Sequence, residues 1–411
     1  MVVTGARHNS PTTKRAVCKT ISLGPNIKFD GTGTCSKSAG LIKNHRKPHL
    51  LKYLALTLAL GMLAACDQND SPENSDKQTA SEAGAENISG LESFRFREVG
   101  GELPPLPATA EMLPVQLALD RLGFSPGVLD GKNGASMKLA LTGFQKANNL
   151  AENGTLDAAT TAALAKANVG PPTRRVRIPA SFAGQTFFPD FPDDAEGQAK
   201  LPALGYRNLM EALAERFHTT AETLVALNSA ETPIGAGQVI IVPNLPDVAL
   251  PSPELSTRGW DKTLVSLGVD GEQPAIESIV VDKSEGWLRT LNSKGEIVGQ
   301  FPVTTGSSRD PLPIGNWTIK GVARNPEFHY NPKLFWDVSD SKEKQLLQPG
   351  PNSPVGVVWI DLSKPHYGIH GTGEPATIGR AESHGCVRLT NWDAARVAGM
   401  VKPGTKVVFQ K

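Results

Sequence analysis

The run Ser383-His384-Gly385-Cys386-Val387-Arg388, with His370-Gly371 just upstream, holds the residue types most able to do chemistry in this chain. A thiol and an imidazole can serve as nucleophile and base. Gly385 beside Cys386 lets a substrate approach the backbone closely. Arg388, two residues on, can grip a carboxylate through two parallel hydrogen bonds. An unperturbed thiol titrates at about 8.5, so a nearby imidazole or positive dipole must raise its reactive fraction. Structural alternatives stand beside these roles: a lone histidine is often a satisfied core group, and Arg388 could be a solvated charge.

Four cysteines occur, at positions 18, 35, 66 and 386. Cys18 and Cys35 precede an export-signal pattern and Cys66 ends it. A basic stretch at 43–52 leads into an apolar run at 53–65. That run falls short of the roughly 20 residues a membrane span needs and suits a signal peptide. Its end, Leu63-Ala64-Ala65-Cys66, resembles a bacterial lipobox. The resemblance implies cleavage before Cys66 and lipidation of that residue; the alternative is an ordinary signal peptide with a chance cysteine. The first forty residues are basic and lack a steady period, and a signal tract from Leu41 fits the usual length where one from Met1 does not. The functional start is therefore expected downstream of Met1. Once Cys66 carries lipid, Cys386 has no partner in the mature chain. An unpaired thiol in an oxidising compartment is either reactive or buried.

Length and charge bound the rest. The 411 residues suffice for two or three domains. Lys and Arg number 42 against 41 Asp and Glu, a net charge of +1, so neither nucleic acid nor an anionic membrane surface is implied as a partner. His329, His366, His370 and His384 lie on separate segments without metal-ligand spacing, so no metal and no other cofactor is expected.

The chain divides by texture. Residues 1–65 are the upstream extension and signal, and 66–107 read as a lipid anchor and a disordered acidic linker. From 108 to 168 apolar positions recur at helical spacing, broken twice by Gly-rich turns, which predicts a small three-helix domain. Its succession of pieces, Leu122-Gly123-Phe124, Asp130-Gly131, Phe144-Gln145, Gly154 and Asp157, resembles the peptidoglycan-binding domain of cell-wall hydrolases. A generic helical module without wall affinity is the alternative. Residues 169–205 and 245–273, rich in Pro, read as linkers. Between them, 206–244 resembles a LysM glycan-binding module, with two short helical patterns and a closing strand at 239–243, although Asn208-Leu209-Met210-Glu211 stands where the usual Gly-Asp-Ser/Thr-Leu would open it. From 274 to 411, short β-branched or aromatic runs alternate with turns, favouring a sandwich or barrel. A helical pattern from Trp392 to Met400 follows the reactive motif, with Asn391 as a candidate cap. The expected fold class is multidomain α+β: the three-helix domain, the LysM-like module and a C-terminal, mainly-β catalytic sandwich.

The last segment resembles the catalytic domain of the bacterial L,D-transpeptidases. The resemblance rests on Phe301-Pro302-Val303-Thr304-Thr305-Gly306, Pro313-Ile314-Gly315-Asn316-Trp317, Tyr367-Gly368-Ile369-His370-Gly371-Thr372 and Ser383-His384-Gly385-Cys386-Val387-Arg388-Leu389. It implies that Cys386 is the nucleophile, His370 the base, and the Gly371 carbonyl the group that orients the imidazole. It also implies an oxyanion hole around Gly385 and Cys386, with His384 and Ser383 shaping the site and Arg388 and Tyr367 meeting substrate. His329-Tyr330 and Trp336 sit in a Pro/Asn-rich insertion that would cap the cleft, or pack in the core. The implied partners are peptidoglycan stem peptides and glycan, with a neighbouring stem, a lysine of a wall-linked lipoprotein or water as acyl acceptor. Water would make the enzyme an L,D-carboxypeptidase. The implied place is the cell envelope, as a periplasm-facing lipoprotein held to a membrane through Cys66. Two readings from other classes remain: a non-catalytic wall-binding structural lipoprotein, and a Cys-His peptidase acting on proteins.

One expectation follows from the lipobox. Fatty-acid labelling in cells should mark the parent chain and not Cys66→Ala; label on the variant would contradict lipidation at that residue.

Overall fold

The structure, a computed structural model, describes residues 90–249, 251–335, 338–339 and 341–411. The signal tract, Cys18, Cys35, Cys66 and Trp336 lie outside the described residues.

Three helices occupy the first segment: α1 (Leu113–Arg121), α2 (Ala135–Ala147) and α3 (Ala158–Ala165). A proline in the first turn of α1 suits a position whose N–H has no helical partner. Asp157 caps α3, accepting from the Thr160 amide at 2.8 Å. Leu119, Met137, Leu141, Phe144 and Leu164 bury their apolar stripes around Phe124.

A small sheet follows. Strands β1 (Arg97–Glu98), β2 (Thr173–Arg177) and β3 (Val239–Pro243) run in that spatial order, with β2 and β3 antiparallel from Thr173↔Pro243 to Arg177↔Val239. Between β2 and β3 come α4 (Leu209–Arg216), capped by Asn208, and α5 (Ala221–Leu227), capped by Thr220. The strand that pairs with the closing strand thus lies at 173–177, inside the segment expected to be a linker.

The linker readings need correction wherever residues are described. In the 66–107 segment, Phe94 and Phe96 are buried, and Phe96 packs edge-on against Phe182 at 4.9 Å and Phe217 at 5.1 Å. In the 169–205 segment, Val176, Ile178 and Phe182 enter the same core. In the 245–273 segment, α6 (Trp260–Leu267) buries Trp260 and Leu264 in the core of the large sheet. The reason is local. A few large apolar side chains set among Pro and polar residues anchor a segment whose average composition looks soluble.

The C-terminal part is one eight-stranded sheet. Its strands are β4 (Ser278–Asp282), β5 (Trp287–Leu291), β6 (Ile297–Pro302), β7 (Gly315–Arg324), β10 (Val358–Leu362), β11 (Gly368–His370), β12 (Val387–Arg388) and β13 (Lys406–Gln410); β8 (Phe328–Tyr330) and β9 (Gln345–Leu347) form a separate hairpin. The spatial order is β12-β11-β10-β7-β13-β4-β5-β6. Strand β7 is the pivot: Gly315 to Thr318 pair with β13 on one side, and Ile319 to Arg324 pair with β10 on the other. The expected mainly-β C-terminal domain takes the form of one curled sheet. Its curl brings the ends together, because the chain leaving β6 pairs through Thr304 with Arg388 and through Gly306 with Ser383. Helix α7 (Asn391–Met400) packs into the core of the curl, led by Trp392, Val397 and Ala398. Thr390, and not Asn391, caps it, accepting from the Asp393 amide.

The helical unit is fused to this sheet. An exposed strand edge invites pairing with another chain, and the edge of β6 is covered: Ser125 N donates to Gln300 O at 2.8 Å, and Gln300 N to Gly123 O at 2.9 Å. The buried Gln300 side chain accepts from Arg289 at 2.6 Å and donates to Leu139 O at 2.7 Å. A charge cluster completes the joint. Arg396 of α7 donates to both oxygens of Asp120 on α1, at 2.8 and 2.9 Å, and to Asp393 at 3.2 Å. Ser125 donates to Asp393 at 2.7 Å. Burial alone would raise the Asp120 carboxyl, but the Arg396 guanidinium more than offsets it and holds the group far below the carboxylate range.

Breaking a buried ion pair by removing one partner costs about 3–5 kcal/mol. Asp120→Ala should therefore lose stability on that scale in urea unfolding. A chain beginning near residue 270, which strips Asp120 and Ser125 from α7, should melt well below the full-length protein in circular dichroism. Equal melting would mean that the units are independent.

Candidate active site

The register of the sheet builds the imidazole's surroundings. His370 on β11 is paired with Trp359 on β10, and the two rings stack at 5.7 Å with 23° between their planes. The His370 side chain is buried, with the residue 4 % exposed. Its Nδ1 lies 2.7 Å from the Gly371 carbonyl oxygen. A carbonyl can only accept, so Nδ1 carries the proton and Nε2 keeps the basic lone pair. Burial, and then the Arg388 charge, push the imidazole down to about 3, against the opposing pull of the Gly371 carbonyl. The resting imidazole is neutral.

Cys386 ends the loop that enters β12. Ser383 Oγ donates to the Cys386 carbonyl at 2.5 Å, and the Ser383 amide donates to Thr305 O at 3.0 Å. Gly385 adopts φ +101°, a conformation that favours glycine, and a Cβ there would stand 2.6 Å from the Tyr367 ring. Tyr367 is thus packed directly against the turn beside the nucleophile candidate. The thiol hydrogen-bonds the His366 carbonyl at 3.9 Å rather than the imidazole. Burial pushes the thiol up, against a hydrogen bond from the Gly368 backbone and the Arg388 charge. Thiol and imidazole therefore both rest neutral.

Both groups open onto one cavity of about 480 Å³, a size suited to a peptide-like ligand. Ser383, His384, Tyr367 and Arg388 line it as well. Arg388 Nε is buried without a hydrogen-bond partner among the described residues. His384 lies edge-on to Phe335 at 5.1 Å, and Phe335 stacks on Tyr330 at 5.3 Å. The β8–β9 hairpin thereby walls the cavity with Phe328 and His329. Gly371 and Gly385 are not among the residues that line it. Among the described residues no group of three or more His, Cys, Asp or Glu side chains could hold a metal.

The sequence reading missed three contributors. Trp359 sits opposite His370 only by strand register. His366, at φ +66°, turns its carbonyl toward the thiol. Asn391, read as a cap, is wholly buried behind Gly371. The sequence reading placed no strand at 358–362, and nothing local names its partner.

Comparison with known proteins agrees with this geometry. The family model described as "L,D-transpeptidase catalytic domain" matches residues 276–409, and that described as "Putative peptidoglycan binding domain" matches 109–164. A Bacillus subtilis protein named "Putative L,D-transpeptidase YkuD" is 28% identical over 193 residues, 47% of this chain and 87% of that protein. The "Putative L,D-transpeptidase in ATP synthase subunits region ORF 5" of Fuscovulum blasticum is 31% identical over 129 residues, 31% of this chain and 67% of the relative. The chain belongs to the L,D-transpeptidase family. It is an enzyme of that kind, with the segment matched as a peptidoglycan-binding domain built onto its sheet.

The neutral resting pair makes a test in the free L,D-transpeptidase. Alkylation of Cys386 by iodoacetamide, followed by peptide mapping across pH, should rise with a midpoint above the ordinary thiol value of about 8.5. A midpoint near pH 6 would indicate a preformed thiolate–imidazolium pair instead.

Proposed function

We propose that Cys386 attacks the bond between the third residue of a peptidoglycan stem tetrapeptide and the fourth, D-alanine. The observation that carries this reading is the 2.7 Å bond from His370 Nδ1 to the Gly371 carbonyl, which leaves Nε2 basic in the cavity that holds Cys386. Nε2 takes the thiol proton as sulfur bonds to the carbonyl carbon. Backbone amides at Gly385 and Cys386 receive the developing oxyanion, with Ser383 and His384 fixing the loop. The C–N bond then breaks, His370 gives its proton to the leaving D-alanine amine, and a thioester remains. Arg388 and Tyr367 hold the peptide, Arg388 through a carboxylate. An acceptor amine attacks the thioester carbon, the C–S bond breaks, and the amine's proton returns to sulfur through His370.

A neighbouring stem as acceptor gives a 3→3 cross-link, and a lipoprotein lysine gives an anchor. Water gives L,D-carboxypeptidase activity. The pairing of β2 with β3 around α4 and α5 supports the LysM-like reading and a second hold on glycan. The enzyme works at the envelope, anchored through lipid on Cys66.

Incubation with purified disaccharide-tetrapeptide, with products resolved by mass, tests the reading. A dimer is expected from the parent and none from Cys386→Ser. His370→Ala should lose about 10²–10⁴-fold in rate while remaining folded. Tripeptide alone would make the enzyme a carboxypeptidase. No product and no covalent adduct with a carbapenem would favour the structural-lipoprotein reading.

A further inference from the structure

The strongest unexplained feature outside the cavity is a buried carboxyl that the LysM-like segment directs at the back of the catalytic strand. Glu215, on α4, is 6 % exposed. It accepts from Tyr206 Oη at 2.5 Å and from Asn391 Nδ2 at 2.8 Å. Asn391 belongs to α7, and no part of it reaches solvent.

The Asn391 amide has its orientation fixed by backbone. The Val357 N–H can only donate, and it meets Oδ1 at 3.2 Å. The Pro351 carbonyl can only accept, and it meets Nδ2 at 3.0 Å. The second Nδ2 proton must then find an acceptor, and Glu215 supplies it. Oriented in this way, Oδ1 sits in the notch between two glycines. A Cβ on Gly371 would stand 2.2 Å from Oδ1, and one on Gly356 would stand 2.0 Å from Oδ1 and 2.6 Å from the Gly371 carbonyl carbon. The amide is thus a wedge seated directly on Gly371, the residue whose carbonyl holds the His370 Nδ1 proton.

We infer that Glu215 is a positioning residue for His370, acting through Asn391 and the Gly371 backbone. The inference rests on the reading of His370 as the general base. The chain of contacts runs Tyr206, Glu215, Asn391, Gly371, His370, and its first two members lie outside the segment matched as the catalytic domain. Loss of the carboxyl leaves one buried N–H of Asn391 without a partner. The amide can relieve that cost only by shifting, and a shift moves the carbonyl that aims Nε2. Small displacements of a reacting group are expensive in rate: about 1 Å can cost on the order of 10²-fold. Burial pushes Glu215 up to about 7, against its hydrogen bonds from Tyr206 and Asn391, so the carboxyl is held by geometry at some cost in charge.

Single-turnover acylation of Cys386 by a carbapenem, in the full chain, separates the possibilities. Concentration series give the maximal rate and the half-saturation point independently. Glu215→Leu should lower the maximal rate about tenfold and leave half-saturation within about twofold. Glu215→Gln keeps an acceptor for Asn391 and should retain at least about half the parent rate. If Glu215→Leu does not fold by circular dichroism, Tyr206→Phe reads the same chain and should lose about two- to threefold. A folded Glu215→Leu at the parent rate overturns the inference. Gln and Leu variants equally slowed, with matching losses in melting temperature, also overturn it, since that pattern is structural. An inert parent, or His370→Ala at the parent rate, removes the base reading and this inference with it. A slow His370→Ala beside an unaffected Glu215→Leu removes the inference alone.

Discussion

A guanidinium out of water must be paired, and Arg396 is paired across what would otherwise be a domain boundary. Its charge meets Asp120 of the helical unit and Asp393 of its own helix. Removing either partner while the joint stays closed would leave an uncompensated buried charge, a change that costs several kcal/mol. Apolar packing reinforces the same joint, with His218 stacked on Trp392 at 4.8 Å. Because α7 begins directly after the reactive loop, a joint that fixes α7 also fixes where that loop ends. The position of Cys386 is set from both directions, by Thr304 and Gly306 pairing at its front and by α7 behind.

The chemistry of the cavity follows from exclusion of water. Burial pushes the imidazole down and the thiol up, and both shifts favour the uncharged forms. Arg388 favours the thiolate and disfavours the imidazolium at once, so it does not by itself favour a resting ion pair of the two. Trp359, stacked behind the ring, limits the imidazole to one plane.

Much of this was legible in the sequence because the reacting groups are contiguous or nearly so. Residues Ser383 to Arg388 and His370-Gly371 name a thiol, an imidazole and a carbonyl within two short runs, and the family match covers both. The three helices were legible from periodicity, though Asp157 as the cap of the third was not read from sequence. What stayed hidden depends on residues far apart in the chain. Asn391 reads locally as a helix start, yet its partners are Glu215, Pro351 and Val357. Phe94, Phe96 and Trp260 lie in stretches whose average composition suggested linkers, and three buried rings outweigh many polar neighbours. The charge pair of Asp120 and Arg396 joins residues separated by most of the chain, a distance at which no periodicity operates.

The covered edge of β6 has a consequence for how this enzyme meets a polymer. Domains joined by a flexible tether sample many separations, and a tethered catalytic head can sweep the neighbourhood of its grip. Here Gly123 to Ser125 lie hydrogen-bonded along Gln300, so the helices are joined through backbone to the sheet whose ends meet at the Cys386 loop. A wall strand held by the helices would present its stems to Cys386 at an offset set by that joint, and the spacing of the stems would decide which of them is within reach.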